Sequence, residues 1–73
     1  MKAELVTLKR IRLEEDLTYW ALGRACGLAD PGLIHKLIHG KHTPTERTLF
    51  KIRRYLAEHR RRVRARARRA VRV

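Results

Sequence analysis

Apolar residues recur at helical spacing from the start of the chain, with Leu5, Leu8 and Ile11 at every third position and Val6 and Leu13 beside that stripe. The pattern predicts a first helix over residues 3–15 with one buried face. Asp16-Leu17-Thr18 interrupts it, and the Thr18 hydroxyl can cap the free amides at the start of a second helix over residues 19–26. The inner face of that helix is expected at Leu22, Ala25 and Cys26, while Gly23 leaves room for another backbone to come close. Gly27 then ends it through the left-handed conformation that glycine adopts readily. Asp30-Pro31 signals a further start, an Asp cap with proline at the first helical position, and predicts a third helix over residues 31–39. Ile34, Leu37 and Ile38 form its apolar side, Gly40 ends it, and Lys41-His42-Thr43-Pro44 makes a loop. Thr45 caps a fourth helix that carries Leu49, Ile52 and Leu56 and reaches at least Glu58. Strand-like alternation is nearly absent before residue 62, so the expected fold is all-α, a bundle of four to five helices.

Size and composition narrow the function. A chain of 73 residues has too small a core for a large catalytic cleft, and its single cysteine, Cys26, cannot form an internal disulfide. Glu14, Glu15 and Asp16 read as a solvated helix end. No nucleophile arrangement, glycine-rich phosphate loop or paired-carboxylate site accompanies them, so neither an enzyme nor a cofactor is expected. The first residues, MKAELVTLKR, contain no apolar run of signal-peptide or membrane-span length, and a cytoplasmic protein with no membrane contact is expected.

Charge changes the picture most. The chain has 19 Lys and Arg against 7 Asp and Glu, a formal net charge of +12, an excess that attracts polyanions. Residues 1–58 hold eleven basic and seven acidic side chains, net +4, whereas residues 59–73 hold eight Arg and no acid, net +8. Two parts follow: a mildly basic helical domain at 1–58 and a basic tail at 59–73. On a helix, Val63, Ala67, Ala70 and Val71 of the tail continue the stripe from Leu56; otherwise arginine repulsion keeps it disordered until phosphates arrive.

Two short helices joined by a turn, inside a small bundle, can present one of them to the major groove of DNA. The segment LTYWALGRACGLADPGLIHKLIHGKHTPTERTLFKIRRYL carries more than this geometry. Its Leu17-Thr18, Leu22-Gly23, Gly27, Ile34, Leu37, Gly40-Lys41, Pro44, Leu49 and Ile52 together resemble the lambda repressor-like helix-turn-helix family of phage repressors, Cro proteins and small bacterial regulators. The resemblance covers about residues 5–56. Two departures stand out: the spacing from Gly27 to Gly40 is slightly longer than usual, and Tyr19 stands where the family often has Gln.

The resemblance implies a sequence-specific regulator of transcription that binds double-stranded DNA, with its third helix reading the major groove. Matched residue by residue, Pro31, Gly32 and Lys36 fall at positions that approach base edges, and a lysine there can donate to guanine O6 and N7. Leu33 can meet a thymine methyl, and His35 and His39 border the groove. Thr18, Tyr19, Lys41, His42, Thr43 and Arg47 are the candidate phosphate contacts, which orient a protein without reading sequence. Arg60, Arg61, Arg62, Arg64, Arg66, Arg68, Arg69 and Arg72 would add salt-sensitive, nonspecific affinity. A homodimer matched to palindromic half-sites is expected, with Tyr55, Leu56, Val63 and Val71 as its candidate surface.

Other readings stand beside these. His35, His39 and His42 at i, i+4, i+7 spacing, with Cys26, invite a zinc site, but the paired-cysteine half of a structural motif is missing and no metal is expected. Cys26 is read as core. Trp20 either packs on the first helix or marks a protein contact. The second function class is therefore an adaptor docked on a polymerase, a ribosome or a toxin, its tail gripping RNA or an acidic surface.

Overall fold

The computed structural model describes residues 3–71, with side chains through residue 69, so that Arg72 and the side chains of Ala70 and Val71 lie outside the described residues. Among the described residues the chain forms four helices and no strand: α1 (Ala3–Glu14), α2 (Tyr19–Ala25), α3 (Leu33–Ile38) and α4 (Glu46–Val71). None of these helices is long and apolar enough to cross a membrane.

Each helix contributes a short apolar face to one core. Leu5, Leu8 and Ile11 come from α1, Leu22 from α2 with Cys26 just after it, Ile34, Leu37 and Ile38 from α3, and Ile52, Tyr55 and Leu56 from α4. Leu8, Leu22, Ile34, Leu37 and Ile52 are fully shielded from solvent. Burying an aliphatic side chain of this size contributes about 1.5 to 3 kcal/mol. Val6 and Leu13, adjacent in sequence to the α1 stripe, are exposed because the core needs only an arc wide enough for α3 and α4.

Helix ends follow local chemistry. The Thr18 hydroxyl accepts a hydrogen bond from the Ala21 amide at 3.0 Å, and the Thr45 hydroxyl accepts one from the Thr48 amide at 3.2 Å, so both threonines cap the helices they precede. Three ends share one closing motif. Asp16, Gly27 and Gly40 all adopt positive φ, and the amide one residue later reaches back five residues: Leu17 to the Arg12 carbonyl, Leu28 to Gly23 and Lys41 to Lys36. Leu28 is buried and Leu17 packs against the core, so the first two turns are also held by apolar contact.

Two sequence expectations are corrected. The third helix begins at Leu33, not Pro31. The amides of Leu33, Ile34 and His35 bond to the carbonyls of Asp30, Pro31 and Gly32, three residues back, so this stretch is a tight turn leading into the helix. Asp30 caps that turn, its carboxylate accepting from the Gly32 amide at 3.2 Å. Ala25 is exposed, because α2 is rotated to bring Gly23 against Pro31, which leaves Leu22, Gly23 and Cys26 as its buried side.

Between α2 and the turn that leads into α3 the backbones nearly touch. A Cβ at Gly23 would lie 2.7 Å from the Pro31 Cα and 2.8 Å from its carbonyl carbon, with the carbonyl oxygen nearer still. The two longest helices, α1 and α4, run in the same direction, since Glu4 pairs with Arg53 at 3.2 Å and Glu15 with Arg66 at 3.9 Å. α4 spans 26 residues, about 39 Å at 1.5 Å per residue, and continues unbroken into the basic tail as far as Val71.

Two substitutions test this account. Gly23→Ala forces α2 and α3 apart and should destabilise the protein by about 2 to 3 kcal/mol, read as a lower midpoint in urea unfolding. Asp16→Gly relieves a left-handed residue and should stabilise by about 0.5 to 1 kcal/mol in the same assay.

Candidate nucleic-acid interface

The third helix buries Ile34, Leu37 and Ile38 and turns Lys36 to solvent. This follows from its spacing, since positions 34, 37 and 38 share one side and position 36 lies across from them. Of the other candidate base-reading residues, His39 is exposed and follows the last residue of α3, while His35 is half-buried. Leu33 is half-buried and packed against the core, which limits the surface it offers to a thymine methyl. Pro31 and Gly32 lie in the turn before the helix, both half-buried, with the Pro31 carbonyl turned against α2.

His35 and His39 are not independent surface histidines. Their rings stack with centroids 4.1 Å apart and planes 27° apart, and Tyr19 stands edge-on to both, at 4.7 Å and 5.7 Å. The Arg12 guanidinium lies 4.2 Å from the centroid of the Tyr19 ring and donates to the Leu17 carbonyl at 3.2 Å. Its buried Nε has no hydrogen-bond partner among the described residues. Desolvation, followed by the charges of His39 and Lys41, holds His35 below the ordinary imidazole range. Arg12 of α1, Tyr19 of α2, His35 of α3 and His39 just after it thus form one aromatic and cationic cluster.

The sequence reading missed Arg12, which looks like any arginine on a solvated helix face. Only the return of the chain at Leu17–Tyr19 reveals its neighbours. Tyr19 itself is half-buried, and its ring is committed to this cluster. Among the remaining phosphate candidates, Thr18, Lys41, His42, Thr43 and Arg47 are exposed, and the Thr18 oxygen also serves as a helix cap. Lys9 of α1 lines one groove with His39, His42 and Thr43, extending this basic region beyond the expected residues.

The tail forms a second basic feature. Arg60, Arg61, Arg62, Arg64, Arg66, Arg68 and Arg69 are all exposed on α4 past the end of the core. Arg66 reaches Glu15, and Arg62 lies 5.8 Å from the Tyr55 ring centroid. The exposed ion pair of Arg66 with Glu15 contributes little and is screened by salt, so it leaves Arg66 available. The expected dimer surface is reduced: Tyr55 and Leu56 are buried within the chain, Val63 is 47 % exposed, and the side chain of Val71 lies outside the described residues.

Cys26 is buried, and loss of solvation pushes its thiol up to about 12. Among the described residues no group of three His, Cys, Asp or Glu side chains lies close enough to hold a metal ion. No protein-family model, curated protein or solved structure matches this chain.

Cys26 offers a direct check on the packing around α2. In folded protein at pH 8 its thiol should resist iodoacetamide, reacting at least about a hundredfold more slowly than in urea, since only the thiolate attacks. Equal rates in both states would contradict a buried Cys26.

Proposed function

We propose that this protein is a sequence-specific, double-stranded DNA-binding regulator of transcription, a Cro-like or repressor-like helix-turn-helix protein. In this reading α2 and α3 are the paired helices, α3 lies in the major groove, and the chain acts in the cytoplasm on bacterial, phage or plasmid DNA. The observation that carries it is the two-sided character of α3, anchored through Ile34, Leu37 and Ile38 with Lys36 outward. Exposed Lys41, Thr43 and Arg47 beyond one end of α3, and Thr18 at the start of α2, suit phosphate contacts on either side.

The α4 arm supplies affinity rather than selectivity. Its seven exposed arginines between positions 60 and 69 can displace counterions without reading bases. Among the described residues of the candidate dimer surface, exposed Val63 is the position from which a homodimer on palindromic half-sites could be built.

A second reading is favoured by Trp20, which is 57 % exposed on α2 beside the aromatic cluster. Exposed tryptophans are enriched at protein interfaces, so the same fold can serve as an adaptor that binds a polymerase, ribosome or toxin partner, or RNA through its arm. Binding indifferent to DNA sequence, yet saturable by a protein partner, would select this reading.

The deciding experiment is selection of bound duplexes from a random pool at two salt concentrations. The native chain should enrich one short motif, and Lys36→Glu should abolish the preference. Replacing the seven arm arginines by glutamine, a good helix former, should retain the motif, weaken binding by about tenfold or more and flatten the salt dependence. Enrichment of the same motif by Lys36→Glu would remove α3 from base reading.

A further inference from the structure

We propose that His35 and His39 form a proton-linked contact, in which docking of α3 on DNA charges the exposed His39 ring and makes affinity rise on acidification. This rests on the reading of α3 as the DNA-facing helix and adds a regulatory property to that site.

Geometry fixes which atom takes the proton. His39 Nδ1 lies 2.9 Å from the His35 carbonyl oxygen, which can only accept, so Nδ1 carries a hydrogen and the neutral ring keeps its lone pair on Nε2. Protonation at Nε2 retains the Nδ1 bond and needs no rotation of the ring. It converts Nε2 from an acceptor into a donor suited to a phosphate oxygen or to guanine O6 or N7. The ring also follows the last residue of α3, at the end of the helix where positive charge is favoured.

The surroundings explain why DNA is needed. Stacking at 4.1 Å means that a charge on one ring opposes a charge on the other. The charged neighbours that the structure places at the cluster are cations: Lys9 of α1 shares a groove with His39, Arg12 of α1 lies over the Tyr19 ring that meets both histidines, and Lys41 of the following loop acts on His35. His42 lines the groove with His39, and α2 contributes the Tyr19 ring. A phosphate backbone supplies the missing counter-charge, and the exposed ring is the one it reaches. His35, half-buried beside Tyr19 and His39 and held below its ordinary range by desolvation, disfavours the proton. The DNA-bound state therefore holds more protons than the free one, and linkage requires tighter binding as pH falls.

The test measures the dissociation constant of the full chain for its selected duplex between pH 7.5 and 6 at constant ionic strength. One linked proton limits the change to about tenfold per pH unit, and a total rise in affinity of about threefold to tenfold is expected. His39→Gln should remove most of this slope, whereas His59→Gln, on α4 beside Tyr55, should keep it. Nuclear magnetic resonance titration should show His39 taking up the proton at higher pH with duplex than without. Selective binding with no pH slope, or a full slope in His39→Gln that assigns the proton to another group such as His42, overturns the inference and leaves α3 as the reading helix. Absence of selective DNA binding at every pH overturns the reading beneath it, and the inference with it.

Discussion

The close approach of Gly23 in α2 to Pro31, in the turn that leads into α3, is the constraint on which the rest of the molecule depends. Two short helices, of 7 and 6 residues, have little stability alone, because nucleating a helix costs more than a few hydrogen bonds return. They persist because Leu22, Ile34, Leu37 and Ile38 meet in one core, and that meeting requires backbones close enough to exclude a Cβ. The same contact sets the rotation of both helices. It turns Ala25 outward, and it gives α3 the orientation in which Lys36 faces solvent.

Around that contact the chain uses repeated local devices. The motif closing α1, α2 and α3 lets three helices end sharply within a chain of 73 residues, and its reaching amides are supplied by Leu17, Leu28 and Lys41. The first two add apolar anchors. The third is polar and exposed, and after it the chain turns into the basic loop before α4. Core and candidate interface are thus separated by a single choice of residue type at equivalent positions.

Charge is divided along α4. Its first half supplies Leu49, Ile52, Tyr55 and Leu56 to the core; its second half supplies no buried described residue and carries the densest positive charge of the chain. Helicity extends past the core because α4 is already nucleated where it packs, and each added residue gains a backbone hydrogen bond for little further ordering. Such an arm holds its arginines at fixed spacing, as a basic rod. The cluster of Arg12, Tyr19, His35 and His39 is a different kind of surface, in which a single guanidinium is tied to ring geometry.

Signals that act within a few residues were legible in the order of the amino acids. They include the helical class, the stripes of Leu5, Leu8, Ile11 and Leu49, Ile52, Leu56, the caps at Thr18 and Thr45, the stops at Gly27 and Gly40, and the basic end of the chain. Each depends on spacing or on one side chain reaching its own backbone. Folding decided what depends on distant residues meeting: the start of α3 at Leu33, the outward turn of Ala25, the burial of Tyr55 and Leu56, and the assembly of Arg12, Tyr19, His35 and His39. Periodicity shows that a helix has an inner face, but the direction of that face is set only when a second backbone packs against it.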